Sequence, residues 1–206
     1  MRSNPLLYLA SASPRRQELL RQIGVDFTLL APGAEEDAEA LEAALPAEPP
    51  ADYVVRVTRL KLEAAEARLA HRALPTAPIM CADTTVALGQ RMLGKPANAE
   101  EAHAMLRRLA NRTHRVFTAV ALSWNGARGP RTAMALNITR VRMAPLTDDQ
   151  IDAYVASNEP YGKAGSYGVQ GRAAAFIAHL DGSYSGVMGL PLFETAQLLE
   201  QAGVPT

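Results

Sequence analysis

The segment Ser11-Ala12-Ser13-Pro14-Arg15-Arg16 brings two hydroxyls, a proline and two guanidinium groups together. Ser13 followed by Pro14 is the pattern of a helix N-cap with proline at the first helical position, which places Arg15 and Arg16 in the first turn. Cations there oppose the positive end of the helix dipole. A bound anion removes the conflict: free N–H groups at a helix start, the Ser11 and Ser13 hydroxyls and two guanidinium forks together make a phosphate cradle. The plainer alternative leaves both arginines solvated on the surface.

Asp83 is the second residue with chemical promise. It sits between Ile79-Met80-Cys81-Ala82 and Val86-Ala87-Leu88, so the run that carries it is bound for the core or its edge. A carboxylate buried there without partners is costly, so it must meet cations, hydrogen-bond donors or a metal, and such placement is typical of catalytic acids and bases. A strand-end Asp-Thr turn is the alternative. Lys61, Lys95 in Gly94-Lys95-Pro96 and Lys163 in a glycine-rich stretch could complete the cradle. Each read alone is equally an ordinary solvated lysine. The acidic triplet Glu35-Glu36-Asp37 could share a hard cation with Asp83, because magnesium combines a few carboxylates with phosphate oxygens. A solvated acidic loop is again the alternative.

Other chemistries fall away. Gly-x-x-x-x-Gly-Lys-Ser/Thr is absent, and Gly162-Lys163-Ala164-Gly165-Ser166 has the wrong spacing for a P-loop. Cys81 has no nearby histidine or arginine-bearing phosphate loop, so it reads as a buried, inert thiol. His71, His103, His114 and His179 are dispersed without zinc-ligand spacing.

The elements that must position these residues follow from periodicity and punctuation. Leu6 to Ala10 reads as a strand, the helix after Ser13 runs through Leu19, Leu20 and Ile23 to Gly24, and Val25 to Ala31 reads as a second strand. Residues 34–50 lack periodicity and read as loop. Asp52 opens a helical pattern to about Arg72, and Ile79 to Leu88 is strand-like but interrupted by Asp83-Thr84-Thr85. Gly89-Gln90 turns that strand toward Arg91 to Leu93. Asn98 with Glu101, and Thr147 with Gln150, form capping-box patterns for two further helices. Arg115 to Trp124 and Thr132 to Met143 form an antiparallel pair around Asn125-Gly126, with a loop lengthened by the residues that follow. A last strand pair is expected over Ala174 to Leu180 and Tyr184 to Val187, turning at Asp181-Gly182, before a helix from Pro191 to Gly203. Helices interleaved with hairpins imply an α/β fold with a mixed sheet, read as a single unit over residues 1–206.

Bulk composition narrows the partners. Lys plus Arg and Asp plus Glu both total 21, so no global field draws the chain to nucleic acid or an anionic membrane, and an aromatic fraction of 5% adds nothing to a nucleic-acid reading. An anion must be held locally. A lone cysteine excludes an internal disulfide framework, and the opening apolar run is too short for a signal segment or membrane span, which makes a cytoplasmic location the expectation.

In order, Ser11-Ala12-Ser13-Pro14-Arg15-Arg16, Ala82-Asp83-Thr84, Gly94-Lys95-Pro96, Lys163-Ala164-Gly165 and Gly168-Val169-Gln170-Gly171 resemble the Maf family of nucleotide pyrophosphatases, and Gly189-Leu190-Pro191 before the last helix fits too. The resemblance runs nearly end to end. It implies an inosine triphosphate pyrophosphatase-like fold, with an elongated mixed sheet, flanking helices and a central cleft between two lobes, often as a homodimer. It implies cleavage of a nucleoside triphosphate between the α- and β-phosphates with a divalent cation, Mg2+ or Mn2+. By the same resemblance Asp83 is the proton acceptor, and Ser11, Ser13, Arg15, Arg16, Lys61, Lys95 and Lys163 bind phosphates. Glu36 with Asp83 holds the metal. Arg15, Thr84 and Gln170 match the specificity positions of the branch acting on dTTP and UTP. The branch acting on 7-methyl-GTP differs by an extra aromatic in the Ser-Pro-Arg-Arg segment, Asp-Gln for Asp-Thr, and Glu before the glycine that follows Gln170 here. The Gln170 amide can both donate to and accept from a pyrimidine edge. The family's association with septum formation supplies a rival expectation, a nucleotide-binding regulatory module acting through a protein partner.

Overall fold

The computed structural model describes residues 6–33, 36–37 and 40–206. Glu35, of the acidic triplet, lies outside them. Seven strands form one mixed sheet: β1 (Tyr8–Leu9), β2 (Thr28–Leu29), β3 (Ile79–Leu88), β4 (Arg91–Leu93), β5 (Thr113–Gly126), β6 (Gly129–Met143) and β7 (Ile177–Asp181). Their order is β2-β1-β3-β5-β6-β7, with β4 also on β3. The contacts among β1, β2 and β3 are parallel, and all others are antiparallel.

β3 and β5 are buried almost without interruption, because helices cover both of their faces. On one face, α1 (Pro14–Gln22) and α6 (Leu192–Gln201) bury Leu19, Leu20, Leu198 and Leu199 against Leu9, Met80, Ala82 and Leu122. Further along that face, α3 (Ala99–Leu109) and α4 (Asp148–Val155) bury Leu106, Leu109, Ile151 and Tyr154 against Val86, Val116 and Val141. The opposite face is covered by α2 (Pro50–His71), whose Val54, Leu62 and Ala65 meet Cys81, Ala87 and Ala119. Alternation along a strand therefore assigns odd-numbered residues of β3 to the α2 side and even-numbered ones to the α1 side.

Four local expectations change. Asp83-Thr84-Thr85 does not interrupt β3, since Asp83 pairs with Ala119 and Thr84 with Thr118 in an unbroken ladder. Asn125-Gly126 is not the turn of the long hairpin. The ladder runs on to Gly126 opposite Gly129, leaving Ala127-Arg128 as a two-residue turn, shorter than expected. Residues 184–187 are helical, in α5 (Tyr184–Met188): the Ser183 side chain accepts from Gly186 N–H as an N-cap, and β7 takes β6 as its partner. Within residues 34–50, Ala40–Glu42 forms one tight helical turn.

Ser13 occupies the N-cap position of α1 but makes no side-chain cap bond. The Asn98 and Thr147 side chains do cap α3 and α4, and Thr147 with Gln150 completes the reciprocal box.

Candidate active site

Each end of β3 has a neighbour on one edge, and its middle does not. β1 pairs with Ile79 and Met80, while β4 pairs with Val86, Ala87 and Leu88. Among the described residues no strand covers that edge from Cys81 to Thr85. A cleft of about 460 Å³ opens there, within the usual range for small-molecule sites. The loop leaving β1 and the start of α1 form one wall, bringing Ser11, Ser13, Arg15 and Arg16. The turn after β4 brings Lys95, α2 brings Lys61, and the glycine-rich loop 162–171 brings Lys163 and Gln170.

On the α2 side of β3, Asp83 is 7% exposed, and its Oδ1 accepts from Lys61 Nζ at 2.6 Å. The same Nζ donates to Glu42 Oε1 at 2.7 Å, and Lys95 Nζ reaches Glu42 Oε2 at 3.4 Å. Burial works against ionisation of Glu42, but the bond and charge of Lys61, aided by Lys95, outweigh it and lower the carboxyl's pKa. The turn holding Glu42 is tied to α2: Tyr53 Oη donates to the Glu42 carbonyl at 2.9 Å, Arg56 Nη2 to the Ala43 carbonyl at 2.9 Å, and Arg56 pairs with Glu48.

On the other side, Arg16 spans three acceptors. Nε donates to the Gly189 carbonyl at 2.8 Å, Nη1 to Ser11 Oγ at 3.1 Å and Nη2 to Thr84 Oγ1 at 3.4 Å. Thr84 Oγ1 also lies 3.0 Å from Thr118 Oγ1, so its hydroxyl belongs to this scaffold. Gly189 adopts φ +123°, a conformation that L side chains rarely take, which fits it to the end of α5 beside the Arg16 guanidinium. Burial lowers the Arg16 pKa, with Asp83 opposing that shift and Arg15 adding to it. Ser11 Oγ also accepts from Ser13 N–H, which organises the loop. Arg15 makes no side-chain hydrogen bond among the described residues and remains available to a ligand.

Lys163 donates to the Glu159 carbonyl, and its pKa is lowered by burial and then by Arg15. Gly165 N–H donates to the Gly94 carbonyl at 3.0 Å, and a Cβ on Gly165 would lie 3.0 Å from Val86 Cγ1, so the glycine-rich loop packs directly on β3 and the Lys95 turn.

Ser11, Ser13, Arg15, Arg16, Lys61, Asp83, Thr84, Lys95, Lys163 and Gln170 thus line one cleft. Glu36 does not. Its carboxylate is gripped by Arg68, whose Nε reaches Oε1 at 2.7 Å, and accepts from Gly33 N–H at 3.1 Å. Chiefly the Arg68 hydrogen bond, against the effect of burial, holds its pKa at about 2. The carboxylate sharing Lys61 with Asp83 is instead Glu42, which lies in the aperiodic stretch and carried no sequence signal. Cys81 is buried and its thiol is pushed up to about 12 by desolvation, as expected for an inert core group.

Once Arg68 is set aside with Glu36, the cleft holds five cations, Arg15, Arg16, Lys61, Lys95 and Lys163, against Asp83 and Glu42. That excess suits a polyanion in a chain of zero net charge. A family model described as Maf-like protein matches residues 6–202. The chain belongs to the Maf family. Among its curated relatives, a dTTP/UTP pyrophosphatase of Ralstonia nicotianae is 60% identical over 202 residues, covering 98% of this chain and 96% of the relative. One from a Polaromonas species is 60% identical over 198 residues, covering 96% of each. One from Burkholderia pseudomallei is 56% identical over 202 residues, covering 98% of this chain and 96% of the relative. The mixed sheet with flanking helices is the fold expected of a Maf protein. No helix among the described residues is long and apolar enough to cross a membrane.

Proposed function

We propose that this Maf protein hydrolyses dTTP and UTP to the nucleoside monophosphate and pyrophosphate. The observation that carries the proposal is the convergence of five cationic side chains on a buried aspartate at the uncovered edge of β3. Near-full-length identity of 56–60% to relatives named for that activity supports the same reading.

In this mechanism the triphosphate enters along the Ser11–Arg16 wall. Arg15 and Lys95, the least engaged cations, take phosphate oxygens first, and Lys163 closes on the chain from the glycine-rich loop. Arg16 is already fixed by Gly189, Ser11 and Thr84, so its charge is preorganised and little is spent on ordering it. Lys61 shifts from the carboxylates toward the phosphates, which frees Asp83 to orient a water and accept its proton. The water oxygen bonds to phosphorus, the α–β anhydride bond breaks, and pyrophosphate leaves. Electrostatic stabilisation is the larger contribution, and general-base assistance adds roughly a hundred- to ten-thousandfold.

No group of three or more His, Cys, Asp or Glu side chains among the described residues could hold an ion unaided. Glu42 and Asp83 are two carboxylates reaching toward one point, now filled by the Lys61 ammonium. Hard oxygen donors in that number suit Mg2+ or Mn2+ arriving with substrate and completed by phosphate oxygens and water. Such an ion would neutralise charge on the phosphate oxygens. In this proposal Glu42, not Glu36, is the partner of Asp83.

Gln170, which lines the cleft, would contact the base, with Arg15 and Thr84 shaping its surroundings. Residues 1–206 would act as one catalytic unit, in a cytoplasmic homodimer. Purified protein with dTTP, UTP and Mg2+ tests the reading: release of pyrophosphate with the monophosphate supports it. Tight nucleotide binding without turnover would instead favour a regulatory module.

A further inference from the structure

Gln170 is carried by a tight turn, closed by Gly171 N–H donating to the Gly168 carbonyl at 3.0 Å. Both ends of that turn are gripped by a single pair of side chains outside the cleft. At one end, the buried Tyr154 hydroxyl in α4 accepts from Gly168 N–H at 3.3 Å. At the other end, Glu159 Oε2 accepts from Arg172 N–H at 2.9 Å, and Oε1 lies 3.5 Å from Ala173 N. The two holders are joined, because Tyr154 Oη donates to Glu159 Oε1 at 2.9 Å.

The glycines make room for this clamp. A Cβ on Gly171 would stand 2.2 Å from Glu159 Oε1, so no larger residue fits with the carboxylate in place. A Cβ on Gly168 would stand 3.0 Å from Lys163 Cε and 3.5 Å from Gln170 Oε1, so the stem of Lys163 and the amide of Gln170 meet over this glycine. Neither Tyr154 nor Glu159 lines the cleft: their side chains reach a ligand through the turn, while the Glu159 backbone carbonyl separately holds Lys163, a contact that the tripolyphosphate measurement below reads.

We propose that Tyr154 and Glu159 are positioning residues for base selection, fixing both ends of the Gly168–Gly171 turn and so the placement of the Gln170 amide against a pyrimidine. This rests on the reading of Gln170 as the base contact. The hydroxyl is the informative atom. Y154F keeps the ring that packs edge-on against Phe176 at 5.5 Å and removes both hydrogen bonds at once.

The test compares kcat/KM for dTTP with kcat/KM for dGTP, together with competitive inhibition by inorganic tripolyphosphate, which offers phosphates and no base. Loss of hydrogen bonds of this type lowers the dTTP/dGTP ratio by about three- to tenfold in Y154F, while tripolyphosphate inhibition stays within about twofold of wild type. E159Q shifts the ratio in the same direction and provides a second reading should Y154F fold poorly. An equal loss for dTTP, dGTP and tripolyphosphate overturns the inference, because it describes general loosening. A ratio that moves in Q170A but in neither Y154F nor E159Q also overturns it and leaves the base contact standing. A ratio unmoved in Q170A removes the base contact itself, and the inference with it.

Discussion

Replacing Asp83 by asparagine separates chemistry from architecture in this cleft. Asp83 Oδ1 accepts one bond, from Lys61 at 2.6 Å, and among the described residues no donor holds Oδ2. In D83N the amide oxygen can keep the Lys61 bond at nearly unchanged volume, while the group able to accept a proton is gone. General-base assistance of roughly a hundred- to ten-thousandfold corresponds to about 3 to 5 kcal/mol of barrier. Binding moves far less. Lys61 keeps its 2.7 Å bond to Glu42, and removing one negative charge beside a polyanion favours the ligand, so dTTP affinity stays within about tenfold of wild type. Pyrophosphate release with Mg2+ measures the first quantity, and calorimetric titration of D83N with dTTP in the absence of divalent cation measures the second. Turnover within about tenfold of wild type would refute the role of Asp83 as base. Loss of dTTP binding together with turnover would show that the residue builds the pocket and does not act in the reaction.

Glu42 occupies Lys61 and Lys95 before substrate arrives, so E42Q should tighten tripolyphosphate binding by about three- to tenfold in a calorimetric titration without divalent cation. Weaker binding would mean that Glu42 organises the lysines and does not merely occupy them. R16K should lower kcat/KM for dTTP by about ten- to a hundredfold, because an ammonium cannot hold Gly189, Ser11 and Thr84 together. Activity near wild type would show that charge alone suffices there. His114 is 1% exposed, and burial depresses its pKa to about 4 from an unfolded value near 6.5. The unfolded chain therefore takes up the proton first: the contribution is intact above about pH 6.5 and is lost as pH falls to about 4, at most about 3 kcal/mol. Urea unfolding between pH 4 and 7 should show this slope in wild type and a flatter one in H114Q; equal slopes would rule it out.

Sequence reading reached furthest where local chemistry decides the outcome. A carboxylate inside an apolar run must be paired, and Asp83 is paired with Lys61. Cap patterns before α3 and α4 describe bonds between near neighbours, and they form as expected. Reading failed where distant residues choose among local options. Glu36 is claimed by Arg68, 32 residues away, and Glu42 is placed by Tyr53 and Arg56 from a stretch without periodicity. The strand expected over residues 184–187 lost to the Ser183 cap, since β7 had already taken the available edge of β6. Asn125-Gly126 suits a tight turn, yet continued pairing between β5 and β6 drew both residues into the ladder.

The break in the edge of β3 explains how one ligand can meet two sets of groups that a sheet would otherwise keep apart. Asp83 and Thr84 are neighbours in sequence and point to opposite faces, one toward Lys61 and Glu42, the other toward Arg16 and Ser11. Had β1 continued two residues further along β3, or β4 run on two residues past Leu93, backbone would fill the space between those faces. The short β1 is therefore part of the site's construction: by ending at Leu9 it releases the chain to turn through Ser11 and Ser13 into α1, and the same turn leaves Asp83 open at its edge. A polyphosphate lying in that gap can touch the arginine wall and the lysine–carboxylate group at once, which neither face of the sheet could offer alone.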